Sequence, residues 1–474
     1  MLSISNKFRA ASSSCFFLVY LFIYTLSLLF FYKNIWWKLE GIAYLVWLFH
    51  PLALLLLASL RWGIGKFTVF IIPFLLMSIA FYWSSIFLLD YFSPYEIAAS
   101  TYYIGLAGIT TPVLIYYLLD YLFPSPLARN FGSLRGRLYE FVSTHQQIVY
   151  LLTLLSVFVS IFFTLLFFIK AGGIPLLADN PEQARVEAMK GAGLIHRLSY
   201  LPLQMAAILL GIIVAFRSNK TASKKKGIVF LASLMLFTIF LNMLTGPRAS
   251  PLWALIYLYI SYELFRHQKV RIRHGVSIVV AILALVAIMG GVRYSGLEEV
   301  NLADTVERFV NRIYMNPVNT DRIVRTFETQ TLEGNSFWID LAVLKPGFQP
   351  DLGTILKEKV GAEFDGGGIT VPLPAEGYLN YGMTGVWVYA VAFAFILKLA
   401  EYLVHFVPNV LLKSILLVIT PLQLMGVVTM GISGIIVKTI IPSLVVASAL
   451  YILLLTMLTI KVLIQKRKPH GKPA

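Results

Sequence analysis

The sequence predicts an all-α polytopic membrane protein of about twelve transmembrane helices, on three observations. The 474 residues are 58% hydrophobic and 13% charged, with a mean hydropathy of +0.78; a soluble domain carries about 25% charged residues. Apolar runs of about 20 residues, enough to cross a ~30 Å hydrocarbon core, recur along the whole chain. The turns between them alternate between strongly basic and mixed or acid-rich, the asymmetry that fixes orientation in a bilayer.

The runs lie near 14–32, 40–60, 67–89, 98–122, 147–169, 199–216, 228–244, 249–265, 275–291, 383–403, 411–431 and 439–460. No small-residue cleavage site follows the first, so it reads as a retained span. The glycine-rich TMGISGII joins the last two and leaves their boundary open. With the N-terminus inside, the cytoplasmic turns are RWGIGK (61–66), ARNFGSLRGR (128–137), RSNKTASKKK (217–226) and RHQKVRIRH (266–274), with the tail from Lys461. All are basic and nearly free of acids, so the net charge of +16 is a topology signal. It does not form a basic stripe with interleaved aromatics, which argues against nucleic-acid binding. Both termini then lie in the cytoplasm, and the interiors of the spans read as nearly charge-free.

Two outward segments stand apart within this single membrane domain: 170–198 and the much longer 292–382. The second holds more than half of the chain's 23 acids and carries apolar residues throughout. A partly helical cap is expected there, since unstructured loops longer than about 12–15 residues are uncommon. No internal repeat is present.

The motif inventory narrows the chemistry. There is no phosphate-cradling glycine loop, no D-x-D, no H-E-x-x-H and no Cys/His cluster, and Cys15 is the only cysteine. Chemistry without a cofactor, metal or nucleotide is therefore expected, on the outward face.

In 178–202, Asn180 and Pro181 suit a helix start and Gly191 a helix stop. A short helix over 181–190 would carry Arg185 and Lys190, with His196 and Arg197 at the mouth of the sixth span. Such cations either meet lipid headgroups or bind a substrate anion; Lys190 reads as the former. In LNMLTGPRASPLWAL, Arg248 sits in a tight turn between two apolar runs. A guanidinium near hydrocarbon costs about 2.5–3.5 kcal/mol on insertion scales. A phosphate offsets that cost, and the following helix start favours an anion; snorkelling to the interface is the plainer alternative.

In 303–330, Asp304 with Glu307 makes a capping box, Pro317 is expected to separate two short helices, and Asn319 or Thr320 to cap the second. Arg308 and Arg312 share one face and read as surface pairing. Arg322 and Arg325 share another and suit either an anion or pairing with Asp321 or Glu328. In TVPLPAEGYLNYGMTG (370–385), Pro372 and Pro374 are expected to preclude regular helix. Glu376 before the tenth span is then a base or a structural partner, such as a cap.

These stretches together resemble the Wzy-type O-antigen and oligosaccharide repeat-unit polymerases: LTGPRASPLWAL between two spans, EQARVEAMKGAGLIHRLSY, GITVPLPAEGYLNYGMTGVWVY running into a span, and one dominant outer loop. The likeness covers nearly the whole chain. The R-x10-G spacing of some members is not matched, since Arg322 to Gly334 is one residue longer. The resemblance implies a GT-C-like architecture in a bacterial inner membrane. It implies undecaprenyl-pyrophosphate-linked glycans as donor and acceptor at the periplasmic face, with lipid pyrophosphate as the leaving group. A chain-length regulator and a flippase are expected partners beside membrane lipids. In that setting Arg248, Arg185, Arg197, Arg322 and Arg325 would bind pyrophosphate, Glu376 or His196 would accept the proton, and Tyr378, Tyr381 and Trp338 would stack on sugars. Alternatives are an O-antigen ligase, disfavoured because 292–382 contains no histidine, and a glycolipid flippase or transporter, disfavoured by the charge-free span interiors.

Overall fold

The computed structural model describes residues 2–32, 40–63, 65–84, 97–178, 181–216, 222–245, 249–271, 315–345, 350–362 and 368–467. Every regular element among them is helical. The order begins α1 (Leu2–Tyr32), α2 (Glu40–Arg61), α3 (Ile71–Ser78, running into a π turn at Ile79–Trp83) and α4 (Ala99–Leu122). It continues with α5 (Pro126–Thr144), α6 (Gln146–Lys170), α7 (Pro181–Ala215), α8 (Ala222–Met243) and α9 (Ala249–His267). Then come α10 (315–326), α11 (Ser336–Ala342), α12 (Leu352–Lys359), α13 (Leu373–Phe406) and α14 (Val410–Leu424). Last, α15 (Val427–Ile435) passes through a π turn at Ile436–Ile440 into α16 (Ile441–Arg467).

Among the described residues, seven segments are long and apolar enough to cross a membrane, and three shorter apolar helices accompany them. The run at 275–291, the stretch 292–314 with Arg308 and Arg312, and Arg248 lie outside the described residues. The apolar part of α7, Ala192–Ala215, is the most enclosed of the seven and packs against α6 and α9. A second group forms where α4 lies along α13, and α14 joins the two by touching α3, α5, α7 and α9. Trp47, Trp83, Tyr116, Phe74 and Phe393 are fully enclosed in the shared core.

Local sequence explains several departures from expectation. The turn at 128–137 belongs to a surface helix, α5. Leu127, Phe131, Leu134, Leu138 and Val142 form its buried stripe at three- and four-residue spacing, while its other faces are polar. Ser125 caps it, its hydroxyl accepting the Ala128 amide at 3.0 Å, and Pro126 takes the first position. The prolines at 372 and 374 open α13 instead of forbidding it: Pro372 is the N-cap, and Pro374 sits in the first turn, where no amide donor is needed. Pro317, Asn319 and Thr320 lie inside α10. Asn319 Nδ2 donates to Thr370 Oγ1 at 2.9 Å and Thr320 Oγ1 to Asn316 O at 2.9 Å, so neither caps a helix. The break expected at Gly191 falls at Ala192, whose φ/ψ of −131°/19° kinks α7.

Hydrogen bonds gather the basic turns on one face. Val270 N donates to Gly65 O at 2.8 Å, Arg135 Nε to Phe265 O at 2.6 Å and Arg266 Nη1 to Ala215 O at 3.3 Å. Lys461 Nζ lies 3.2 Å from His145 Nδ1 at the α5–α6 junction. The guanidinium groups satisfy carbonyls left open at helix C-termini, where positive charge is also favoured by the helix dipole. The C-terminal end of α13 meets α5 and α14 on this basic side. Its unbroken part, residues 383–406, spans roughly 36 Å at 1.5 Å per residue, enough to cross a ~30 Å core, so the start of α13 lies at the opposite face.

Candidate functional site

At that opposite face two helices are interrupted, and the first turn of one meets the interruption of the other. α13 breaks at Tyr381 and Gly382, the latter at φ/ψ 61°/−146°. α15 breaks at Gly431, at φ/ψ 69°/−179°, inside the TMGISGII stretch. This backbone region is open essentially to glycine alone. A broken helix at membrane depth leaves amides that something must satisfy. Glu376, from the first turn of α13, does so. Its Oε2 accepts the Ile432 amide, and its Oε1 accepts the Ser433 amide at 3.2 Å and the Ser336 hydroxyl at 3.0 Å. The residue is 1% exposed. Asn380 completes the junction by donating to Ser336 Oγ at 2.8 Å and to Glu376 O at 2.9 Å.

The loop segments dock on this junction. Leu332 N and Glu333 N donate to Leu379 O and Asn380 O. Ile323, Phe327, Leu352 and Leu356 pack with Ala375 and Leu379 of α13 in a small separate core. Lys438, in the π turn, fastens the arrangement: its ammonium lies 3.1 Å from Asp340 Oδ1 and 2.8 Å from Asp351 Oδ2. Asp340 also accepts Ser433 Oγ at 2.9 Å and Leu352 N at 3.1 Å, while Asp351 caps α12 by accepting Thr354 N at 2.8 Å. Burial pushes the Asp351 carboxyl up, but the Lys438 ammonium and the Thr354 donors outweigh it and hold the group below the usual carboxylate range.

The structure divides the residues expected from sequence between two places. On the elements packed around Glu376 lie Tyr378 and Tyr381 of α13, Trp338 of α11 and, on α10, whose Ile323 packs with Ala375 and Leu379, Arg322 and Arg325. Tyr378 is buried with Ile104, Val324 and Val386, whereas Tyr381 is half exposed and Trp338 is 63% exposed. Arg322 is half-buried on α10. Arg325 Nε lies 2.6 Å from Asp321 Oδ2, and Asp321 in turn accepts Ala98 N and Thr101 Oγ1, so the pairing weighed from sequence is formed.

Arg185, His196 and Arg197 belong to the kinked start of α7. The His196 ring is 3% exposed and lies between Phe167 and Tyr200, with centroids 5.5 and 5.3 Å away. Below it, Ser199, Asn242 and Ser160 form a buried polar chain: Ser199 Oγ donates to Asn242 Oδ1 at 2.8 Å, and Asn242 Nδ2 to Ser160 Oγ at 3.2 Å. Leu176 N donates to Leu244 O, which brings the 175–177 turn to the end of α8, four residues before Arg248.

Sequence reasoning missed Lys438, Asp340, Ser336 and Gly431. The lone lysine in GIIVKTII was the available signal, because an ionisable residue in an apolar run is functional or paired. The expectation of charge-free span interiors is also overturned. Near the basic face, Lys398 Nζ lies 2.9 Å from Asp120 Oδ1 and 3.0 Å from Glu401 Oε2, all three buried. Asp120 further accepts Trp62 Nε1 at 2.8 Å, and Glu401 accepts Tyr116 Oη at 2.6 Å and the Ser125 hydroxyl. The argument against a transporter from charge-free spans therefore falls.

Comparison with known families makes that distinction. The family model described as "Putative O-antigen polymerase" matches residues 42–438. No curated protein and no solved structure matches this chain. The match takes in both interrupted helices, the α7 kink and the intervening loop, and the chain therefore belongs to the O-antigen polymerase family.

Proposed function

We propose that this polymerase joins undecaprenyl-pyrophosphate-linked oligosaccharide repeat units at the periplasmic face of the bacterial inner membrane, in a GT-C-like bundle of about twelve spans. The observation that carries the reading is the docking of the start of α13, through Glu376, on the α15 interruption, with the loop helices that carry Arg322, Arg325 and Trp338 packed beside it. Irregular backbone at membrane depth belongs beside a cavity or a substrate path. The positive-inside rule assigns the basic face to the cytoplasm, and hence this junction to the periplasm, with both termini inside.

In this reaction a hydroxyl of the acceptor sugar attacks the anomeric carbon of the donor glycan. A new C–O bond forms as the bond to the lipid pyrophosphate breaks. The pyrophosphate leaves with the electron pair, and the hydroxyl proton passes to a base. Guanidinium groups suit the charge that grows on the leaving group, a role for Arg322 and Arg325 from the loop and for Arg248, Arg185 and Arg197 from the α7–α8 side. Trp338 and Tyr381 offer outward rings to sugar faces; buried Tyr378 supports the wall behind them. Glu376 and His196 stay the two candidates for the base. With both its oxygens accepting hydrogen bonds, Glu376 ties the α15 break and the Ser336 loop to the start of α13.

The test is polymer formation from purified lipid-linked repeat unit in detergent, without added metal or nucleotide. Wild type is expected to build a ladder, and Arg248→Ala and Arg322→Ala to lose it while staying folded. Transbilayer movement of the glycolipid without polymer would establish the flippase reading instead. Transfer to lipid A core in place of a new repeat unit would establish the ligase reading.

A further inference from the structure

The face opposite the Glu376 junction carries a second arrangement that the polymerase reading does not use. Three helices bring one cation each to the α13–α14 turn. Arg137 comes from the exposed side of α5, His405 from the last turn of α13, and Lys413 from the first turn of α14. The helices pack on one another there. Arg137 and Lys413 are the charges that act on His405, and Arg137 acts on Lys413, so the three groups share one neighbourhood.

Lys413 is only 9% exposed, yet among the described residues it forms no ion pair, and neither do Arg137 and His405. The nearest acids do not fill the gap. Glu401, one turn before His405, is committed to Lys398, Tyr116 and Ser125. Glu140 is exposed, one turn beyond Arg137. Asn409 already caps the first amides of α14 by accepting Leu411 N and Leu412 N at 3.0 Å.

Topology does not require this arrangement. The positive-inside signal is served by cations spread through the turns, and it gives no reason to enclose a lysine beside two other cationic side chains. Lys413 is buried along its stem, beside half-buried His405 and exposed Arg137, and cations gathered at the membrane surface repel one another unless an anion joins them. The site lies at the end of two membrane helices, which is the depth of lipid phosphate.

We infer that Arg137, His405 and Lys413 form a binding site for the phosphate group of an anionic membrane lipid, on the face opposite the polymerase junction. Phosphate is the shared chemistry of a lipid headgroup and of the free ion, and the experiment separates them. The full chain is placed in nanodiscs of phosphatidylcholine alone or with phosphatidylglycerol added, and in phosphatidylcholine nanodiscs with inorganic phosphate at matched ionic strength. Thermal stability is read together with lipid retained in native mass spectrometry.

Phosphatidylglycerol is expected to stabilise wild type and to be retained. Lys413→Gln is expected to weaken retention about fivefold, the contribution of one cation near an anionic surface. In phosphatidylcholine alone Lys413→Gln should melt at or above wild type, because it removes an unpaired cation; a lysine that merely packs would melt lower when replaced. Arg137→Gln, on the exposed side of α5, gives a second variant that does not test the core. Equal phosphatidylglycerol retention by wild type and both variants would overturn the site. Stabilisation by inorganic phosphate with no further effect of phosphatidylglycerol would overturn the lipid assignment.

Discussion

The Oε1 atom of Glu376 accepts the backbone amide of Ser433 at 3.2 Å, and through this bond the first turn of α13 caps the helix that restarts after Gly431. Two features of sequence permit it: prolines that start α13 early enough to present Glu376, and a glycine whose backbone no other residue adopts readily. A Cβ at Gly431 would collide with Glu376 Oε2 and lie 3.0 Å from Val371 O.

Gly431→Ala is therefore expected to destabilise the protein by more than the ~1–3 kcal/mol of the backbone conformation alone. Gly382→Ala is the control, because its φ is also positive but a Cβ there meets nothing within 4 Å. Thermal unfolding of the two variants in one detergent compares them. Equal losses would show that the Glu376 contact yields freely and contributes nothing to the break.

Ser336→Ala removes one donor from Glu376 and tests the loop's attachment to the junction. A hydrogen bond to a charged group contributes about 1.5–3 kcal/mol. Glu376→Gln should cost more, since its amide group would turn N–H donors toward the amides of Ile432 or Ser433. The double variant should cost less than the sum, because both changes break one bond. Strict additivity in thermal unfolding would show that Ser336 and Glu376 act independently.

How much of this was legible in the sequence depended on range. The run at 147–169 became α6 at Gln146–Lys170, because a strongly apolar stretch with no charge before Lys170 and no proline or glycine leaves little choice. The α5 stripe was also readable, at Leu127, Phe131, Leu134 and Leu138, but the polar average of the segment masked it. Glu376 was picked out, and a cap was among its weighed roles; that its partners are amides 56 and 57 residues away could not be read from one chain. The pairing of Lys438 with Asp340 spans a still longer stretch of chain and carries no local signature. Proline was misjudged at 372 and 374 because its effect inverts between a helix interior and a first turn.

The Asp351–Lys438 pair predicts a pH dependence of loop docking. The folded protein holds the Asp351 carboxyl below its ordinary value of about 3.9. A lowered folded value means that the contribution is fully present above the unfolded value and is lost as pH falls through the folded one. Docking of α12 should thus be constant above about pH 4 and weaken below it. Hydrogen exchange at Thr354 and Leu356 is the readout, and Asp351→Asn should flatten that part of the profile. An unchanged profile in the variant would remove Lys438–Asp351 as the fastening.

At the other end of α13, Lys398 stands between Asp120 and Glu401, and among the described residues no other ammonium group reaches either carboxylate. Arg61 shares only Asp120, at 3.3 Å. Lys398→Met leaves two buried carboxylates facing each other, and removing one member of such a set costs about 3–5 kcal/mol. Replacing Glu401 by glutamine in the same chain should restore part of that loss, because Arg61 still answers Asp120 and the amide can still accept from Tyr116. The order of melting temperatures is then wild type first, the Lys398→Met/Glu401→Gln double variant second and Lys398→Met last. A double variant below Lys398→Met would mean that Glu401 holds Tyr116 and Ser125 in place independently of the lysine, and that the cluster is a hydrogen-bond lock between α4, α5 and α13 and not a charge balance.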